Sequence, residues 1–404
     1  MTSTTPDVPA TSSRAARSAL LGAVFLMATS AIGPGFITQT ATYTVSLGAA
    51  FACAIAISLL VDVAVQMNVW RVIGVSGRRA QELGNDVLPG VGWVLALLVV
   101  SGGFVFNIGN VAGSGLGTQA MLGVEPRVGG AVSAALAVAV FLSHRAGVAL
   151  DRVVVVLGLL MIVATGAVAV TSAPPVGDVL RQTVAPDTFD VVAVTTIIGG
   201  TVGGYITYAG AHRMLASGRT GPEHAGAVAR SSVVSILVTG AMRVLLFLAI
   251  LGVVAGGAEL STDDPAGSAF EAAAGAAGLR VFGLVLWAAA LTSIIGAAYT
   301  SVSFLTTDRT SERRRSLLTV VFIVLSAGVF VVVEQAPTTL LVFAGTFNGL
   351  ILPLGFGVLL YVAWRRRDLL RGYRYPRWLL LAGVLAWLLT LYLGYQALVS
   401  LGDL

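Results

Sequence analysis

With 404 residues, 56% of them apolar and only 11% charged, the chain has a mean hydropathy of +0.91. A soluble domain carries roughly 25% charged residues, so this composition excludes a water-covered globular protein and specifies a polytopic membrane protein. The formal net charge of +5 is carried by arginine and reads as cytoplasmic-loop charge rather than a nucleic-acid footprint; the single cysteine, Cys53, has no disulfide partner within the sequence.

Residues 1–17 read as a disordered cytoplasmic N-terminus, rich in Thr, Ser and Pro and closing on Arg14 and Arg17. The apolar stretch behind them is too long for a cleaved signal. A spanning helix needs about 20 apolar residues. Eleven such spans are expected, near 18–45, 49–72, 90–122, 128–145, 152–172, 191–215, 229–256, 279–305, 316–334, 338–363 and 377–400. Arginines crowd alternate loops: Arg78 and Arg79; Arg145 and Arg152; Arg213, Arg219 and Arg230; Arg309 and Arg313 to Arg315; Arg365 to Arg367, Arg371, Arg374 and Arg377. The positive-inside rule then places the N-terminus in the cytoplasm and the C-terminus outside a bacterial inner membrane. The loops 173–190 and 257–278 fall outside and read as surface loops.

Two polar breaks stand at matching places in the chain. The first is Gly33-Pro34-Gly35-Phe36, followed by Ile37-Thr38-Gln39-Thr40; the second is Gly199-Gly200-Thr201-Val202-Gly203-Gly204. Proline removes an N–H and clashes with the preceding turn, and glycine frees the backbone on either side. In a membrane such breaks survive only where protein or a water-filled cavity satisfies the freed groups. Spans 1–5 (18–172) and 6–10 (191–363) each open on a broken helix, with span 11 (377–400) left over. An odd number of helices per repeat makes the second half inverted, and paired breaks in inverted repeats point to a transport site near the midplane.

Ionisable residues within spans are few. Asp62 in span 2 and Arg243 in span 7 are costly alone in a membrane, and each is a candidate coupling group or half of an ion pair. Gln66 and Asn68 read as contacts between helices, and Asn107, Asn110 and Asn348 as residues that line the pathway. His212, His144 and His224 sit at or near cytoplasmic loops. No phosphate loop, metal-ligand cluster or catalytic constellation is present in the sequence, so neither an enzyme nor a bound cofactor is expected.

The chain resembles the natural resistance-associated macrophage protein (NRAMP) family of proton-coupled divalent-metal transporters. The resemblance rests on Gly33-Pro34-Gly35-Phe36 ahead of Ile73-Gly74-Val75-Ser76-Gly77, on Gly199-Gly200-Thr201-Val202 ahead of Gly203-Gly204-Tyr205-Ile206, and on Leu340-Leu341-Val342 with Leu352-Pro353. It implies the leucine-transporter fold: two inverted five-helix repeats, an eleventh helix, and helices 1 and 6 broken. Where the family has its metal-binding aspartate, asparagine and methionine, this chain has Gly33, Phe36 and Gly203, and Tyr205 replaces a histidine of the family's proton path. Asn110-Val111-Ala112-Gly113 stands where the family has an acidic stretch in helix 3.

The breaks therefore keep exposed backbone and lose the ion's ligands, as if the pocket were enlarged. Gly33, Gly35, Phe36, Thr38, Gln39, Thr40 and Tyr43 from span 1 are the expected substrate contacts. Thr201, Gly203, Gly204, Tyr205 and Tyr208 from span 6 join them, with Asn110 and Asn348. Uncharged hydrogen-bonding groups, aromatic walls and a helix N-terminus suit a small carboxylate or amide. The expectation is a secondary transporter of an amino-acid-like or 5-oxoproline-like solute, working by alternating access as spans 1, 2, 6 and 7 rock against the rest. A proton or sodium ion is the expected coupling ion, with Asp62, Arg243, Thr292 and Ser293 as coupling candidates and no metal site. Partners are the small-molecule substrate and the lipid bilayer, with no nucleic acid; the oligomeric state is open and a monomer suffices. A manganese or magnesium transporter is the alternative, and a non-transporting sensor or scaffold the third reading.

Overall fold

A computed structural model describes residues 32–402 apart from 217, 219, 308, 309 and 334. The N-terminal segment and the first half of span 1 lie outside the described residues. Among these residues the chain is helical, with no strand. Helices are what a lipid-exposed chain must form, because only they satisfy every backbone group within one segment. In order they are α1 (Pro34–Leu47), α2 (Phe51–Ser76), α3 (Ala80–Val87), α4 (Val91–Leu122), α5 (Pro126–Leu142), α6 (His144–Thr171) and α7 (Val176–Val184). The second half holds α8 (Val191–Thr201), α9 (Ile206–Ala216), α10 (Ala225–Ala255), α11 (Pro265–Leu305), α12 (Glu312–Val332), α13 (Pro337–Arg365) and α14 (Arg377–Gly402).

Among the described residues, eight helical stretches are long and apolar enough to cross a membrane, or nine if the pair 155–171 and 176–184, bent by 103°, is one span. One of the eight, Pro34–Ser76, joins α1 and α2. As a straight rod its 43 residues would measure about 65 Å at 1.5 Å per residue, twice the hydrocarbon thickness. It is not straight: Gly48 has φ 55 and ψ −136, and the rings of Tyr43 and Phe51, eight positions apart, lie 5.8 Å from each other. The chain therefore turns at 48–50, and α1 and α2 correspond to two of the expected spans. The expected spans 3, 4 and 5 match α4, α5 and α6. Span 6 is the broken pair α8–α9, and spans 7 to 11 match α10 to α14.

Three expectations about loops change. The 173–190 segment contains α7, nine residues too short to span but amphipathic in pattern; it packs against α2 and the 48–50 turn. Most of 257–278 is also helical, because α11 begins at Pro265 with the Asp264 carboxylate capping it. α11 breaks at Ala274 and Gly275 (φ 62), which separates a short outer helix from the spanning part. Finally, α6 begins at His144, so helical backbone occupies the place of an expected inner loop at 145–152.

α4 runs through the middle of the molecule and packs against α5, α11 and α13. Its approach to α11 is backbone to backbone. A Cβ on Gly117 would lie 2.7 Å from the Trp287 nitrogen, and one on Gly283 would lie 2.7 Å from that of Met121. Small residues let membrane helices close to this distance, where dispersion and weak polar contacts replace the missing hydrophobic drive. α2 packs against α8, α9, α10 and α14. Asn68 ties α2 to the last helix, donating to the Leu379 carbonyl (3.1 Å) and accepting from the Tyr375 hydroxyl (2.7 Å), which is the interhelical role read from the sequence.

Candidate functional site

The second break folds as its glycines dictate. α8 ends at Thr201, Val202 to Tyr205 leave helical geometry, and α9 resumes at Ile206. Gly204 has φ 50, and a Cβ there would stand 1.5 Å from the Asn348 Oδ1 of α13. A Cβ on Gly203 would fall 2.6 Å from Gly199 and 2.8 Å from the Asn348 carbonyl. The space read from sequence as an enlarged pocket is thus filled by α13. Asn348 is fully buried and spans this junction, its amide donating to the carbonyls of Gly102 (3.0 Å) and Ala344 (2.8 Å). The far side of the break is held by Trp70 of α2, which donates to the Thr207 carbonyl of α9 (2.9 Å).

Beside the break lies an open cavity of about 660 Å³ including its mouth. Four elements line it: Thr201, Tyr205, Ile206, Ala209 and Gly210 from the broken helix; Ser235, Ile236 and Thr239 from α10; Thr292, Ser293, Gly296, Ala297 and Thr300 from α11; and Gln66 from α2. Of the expected contacts, Thr201, Tyr205, Thr292 and Ser293 are there. Tyr205 is packed edge-on to Phe106, 5.6 Å between centroids. Ser293 is buried and its hydroxyl has no partner, while the Thr292 hydroxyl bonds back to Ala289 (2.9 Å).

The remaining expected contacts do other work. Gly33 caps α1, and Pro34 opens it. A Cβ on Gly35 would lie 3.3 Å from Phe106. Gln39 is fully buried between α8 and α13, donating to the Leu341 carbonyl (2.9 Å). Thr40 bonds back to Phe36 (2.7 Å), and Thr38 is buried within α1. The Tyr43 hydroxyl donates to Thr196 (3.0 Å), which bonds Thr346 (2.7 Å), so a hydroxyl chain joins α1, α8 and α13. Tyr208 packs on Phe304, 5.5 Å between centroids, away from the cavity. Asn107, expected on the pathway, lines neither cavity and instead donates to Ser326 of α12 (2.8 Å). Asn110 stands beside the Tyr205 hydroxyl, yet neither of its amide atoms completes a hydrogen bond. His212 shares a hydrogen bond with Ser303 (3.1 Å) and stacks on Phe304.

The α10 wall was missed in sequence, although a signal was present. Ser232, Ser235, Thr239 and Arg243 recur at three- and four-residue steps, which puts them on one helix face. Thr292, Gly296 and Thr300 form a similar small, polar stripe on α11. Gln66 belongs to both readings. It lines the cavity and also donates to Ser235 (2.8 Å) and to the Ser232 carbonyl (3.2 Å).

A smaller cavity continues inward, sharing Thr201, Ile236 and Thr239 with the first and adding Phe36, Ile55, Ser58, Leu59, Asp62, Gly240 and Arg243. Asp62 and Arg243 are both 2% exposed and both face it, but they are not within ion-pair distance. Asp62 lies by the Thr201 hydroxyl, and its Oδ1 has no partner. Arg243 donates from Nη1 to the Ile197 carbonyl at 3.3 Å and lies 4.3 Å over the Phe36 ring. Its Nε and Nη2 have no partner.

The donor set of both cavities is hydroxyl, amide, guanidinium and one carboxylate. Among the described residues, no group of three or more His, Cys, Asp or Glu side chains is placed to hold a metal ion.

Comparison with known proteins gives a family, two curated relatives and a fold. Residues 24–400 match the family described as natural resistance-associated macrophage protein-like. An uncharacterized membrane protein of Bacillus subtilis, YcsG, is 48% identical over 94% of both chains. An uncharacterized membrane protein of Haemophilus influenzae is 47% identical, over 95% of this chain and 96% of its own length. A manganese transporter of Eremococcus coleocola superposes with a TM-score of 0.72 at 17% identity, covering 96% of this chain and 87% of that one. MhsT, solved in complex with L-phenylalanine, superposes with a TM-score of 0.68 at 16% identity, covering 94% and 98%. At these identities the likeness is one of fold.

Proposed function

The chain belongs to the natural resistance-associated macrophage protein-like family, and from that premise we propose that it carries a small organic carboxylate across the membrane by alternating access. The chemistry of the cavity supports this reading. Its wall offers the hydroxyls of Thr201, Ser235, Thr239, Thr292, Ser293 and Thr300, the Gln66 amide, the Tyr205 ring and apolar Ile206, Ile236 and Ala297. Such a surface binds a molecule with apolar body and a few hydrogen-bonding groups. A hard divalent ion needs several anionic or carbonyl oxygens, and a later transition metal gains from sulfur or imidazole. An amino-acid-like or 5-oxoproline-like solute is the substrate class that fits.

The lining includes Gln66 and Thr300, which lie in the later halves of α2 and α11, the halves that lead to arginine-rich loops. Arg79 donates to the carbonyls of Thr306 (3.1 Å) and Ser303 (3.4 Å), and the Gly221 amide donates to the Gly74 carbonyl (2.9 Å). We propose that those loops lie in the cytoplasm and that the cavity is reached from their side. On the opposite side Thr338 of α13 is hydrogen-bonded to the Asp263 carbonyl, which joins the α11 entry to α13.

Binding tests the reading directly. Purified protein is titrated with L-5-oxoproline, L-glutamate and manganese while its melting temperature is followed. Stabilisation by a carboxylate at about 100 times its Kd amounts to roughly 2.7 kcal/mol and is readily seen. Stabilisation by manganese alone would overturn the proposal in favour of metal transport.

A further inference from the structure

The inner cavity holds an arrangement that neither family membership nor the open cavity explains. Arg243 and Asp62, a guanidinium and a carboxyl group, are almost fully buried and face one small space. An ionised pair in a medium of low dielectric attracts strongly, yet no ion pair or hydrogen bond joins these two. The structure shows what holds the arginine: one nitrogen is tied to the Ile197 carbonyl near the end of α8, and the guanidinium plane rests on Phe36. The bond to Ile197 complements the negative end of the half-helix, which would be a sufficient structural reason for a cation here. It leaves Nε and Nη2 free, however, and these form one edge of a guanidinium fork. Phe36 lies in the first turn of α1, where the N–H groups of Gly35 and Phe36 have no acceptor within the helix. The unpaired arginine edge thus lies at the small cavity that Phe36, from the first turn of α1, also lines. Thr201, Ile236 and Thr239 line both this cavity and the open one.

We infer that Arg243 forms an anion subsite in the smaller cavity. It takes the carboxylate of the carried solute, with Asp62 as the counter-ion that must be neutralised before the anion enters. The inference rests on the carboxylate-transport reading above. Its charge balance is simple. Empty, the small cavity holds Arg243 and Asp62 and is neutral. A monoanion added to that pair leaves a net buried negative charge, which is costly. If a proton goes to the Asp62 carboxylate as the anion binds, the site holds one cation, one anion and one neutral acid, and neutrality is kept. Proton and solute then move together with no net charge. Arg243 of α10 faces Asp62 across the cavity, and Thr201 of α8 borders it. Phe36 of α1 brings no titratable group, and among the described residues no other ionisable side chain lines the space.

The test uses the full chain, purified and in liposomes, with L-5-oxoproline as probe and 2-pyrrolidinone, the same ring without the carboxylate, as its control. The probe is an anion at both about pH 5.5 and about pH 7.5, so any change in its affinity belongs to the protein. Wild-type protein should bind the probe at least about tenfold more tightly than the lactam, and more tightly at the lower pH. Arg243→Gln should remove that discrimination. Arg243→Lys keeps the charge near α8 but loses the planar edge; it should weaken the probe by about tenfold and stands in if the glutamine variant fails to fold. Asp62→Asn should bind the probe equally at the two pH values, and its uptake should no longer bring protons into the liposome. Wild-type affinity and discrimination in either folded Arg243 variant, or an unchanged pH dependence in Asp62→Asn, would overturn the inference while leaving carboxylate transport standing. Failure of the wild-type protein to bind any small carboxylate would instead overturn the transport reading and this inference together.

Discussion

Gly204 shows how little freedom the broken helix has. Its φ of 50 is open to glycine and strained for other residues, and a Cβ there would overlap the Asn348 side chain. Gly204→Ala should lower stability by about 2–4 kcal/mol, read as a fall in melting temperature in detergent. Tyr43→Phe removes only the first link of the hydroxyl chain to Thr196 and Thr346, and should cost about 1 kcal/mol. Outside the membrane, Asp264 makes a pH-dependent contribution. Burial raises its carboxyl from 3.8 to about 6, against the opposing bond from the Gly267 amide. A folded-state value above the unfolded one favours the neutral acid in the folded protein. Its contribution is therefore complete below about pH 4 and is lost as pH rises through about 6. Wild-type protein should lose of order 1–3 kcal/mol over that window, and Asp264→Asn, which stays neutral and keeps a cap oxygen, should lose less. Melting temperatures measured across the range check the sign.

Among the elements, α10 carries more of the site than the breaks do. Ser235→Ala or Thr239→Val should cut carboxylate affinity by about three- to tenfold with little change in melting temperature, whereas Tyr208→Phe, outside the cavity, should leave affinity unchanged. Calorimetry on the three variants separates these outcomes. The break at 199–204 was legible because glycine pairs in an apolar run have few other uses. What the break would touch was not legible. Whether Gly203 and Gly204 border empty space or the Asn348 carbonyl depends on how closely α13 approaches, and no local pattern records that distance. The span 1 contacts read from sequence turned inward for the same reason: Gln39 and Tyr43 serve α8 and α13. The polar stripe from Ser232 to Arg243 was visible at helical spacing, but hydroxyl residues also satisfy their own backbone, so the stripe alone did not mark a wall. α7 had signals too, with Pro174 and Pro175 before it, Asp178 in its first turn and Arg181 in its last. Its nine residues are simply too few for a periodicity to stand out.

At the scale of the molecule, the paired breaks and the odd leftover helix already implied two inverted repeats, and the architecture follows that plan. The structure adds a cavity lined by the broken helix, α2, α10 and α11, and a bond from Thr338 to the Asp263 carbonyl that joins the α11 entry to α13. Cys53 is buried, so a Cys53→Ala background permits single cysteines to report access. Cysteines at Ser235 and Thr300 should react with a membrane-impermeant thiol reagent from the cytoplasmic side, and bound solute should protect them. Labelling only from the opposite side would reverse the orientation.

The central claim is that this family scaffold carries an organic carboxylate rather than a metal ion. Uptake of radiolabelled 5-oxoproline into liposomes containing the purified protein tests it most directly. Uptake should be saturable, unchanged by a metal chelator and abolished by Arg243→Gln. Manganese uptake abolished by the chelator, with no carboxylate carried, would contradict it.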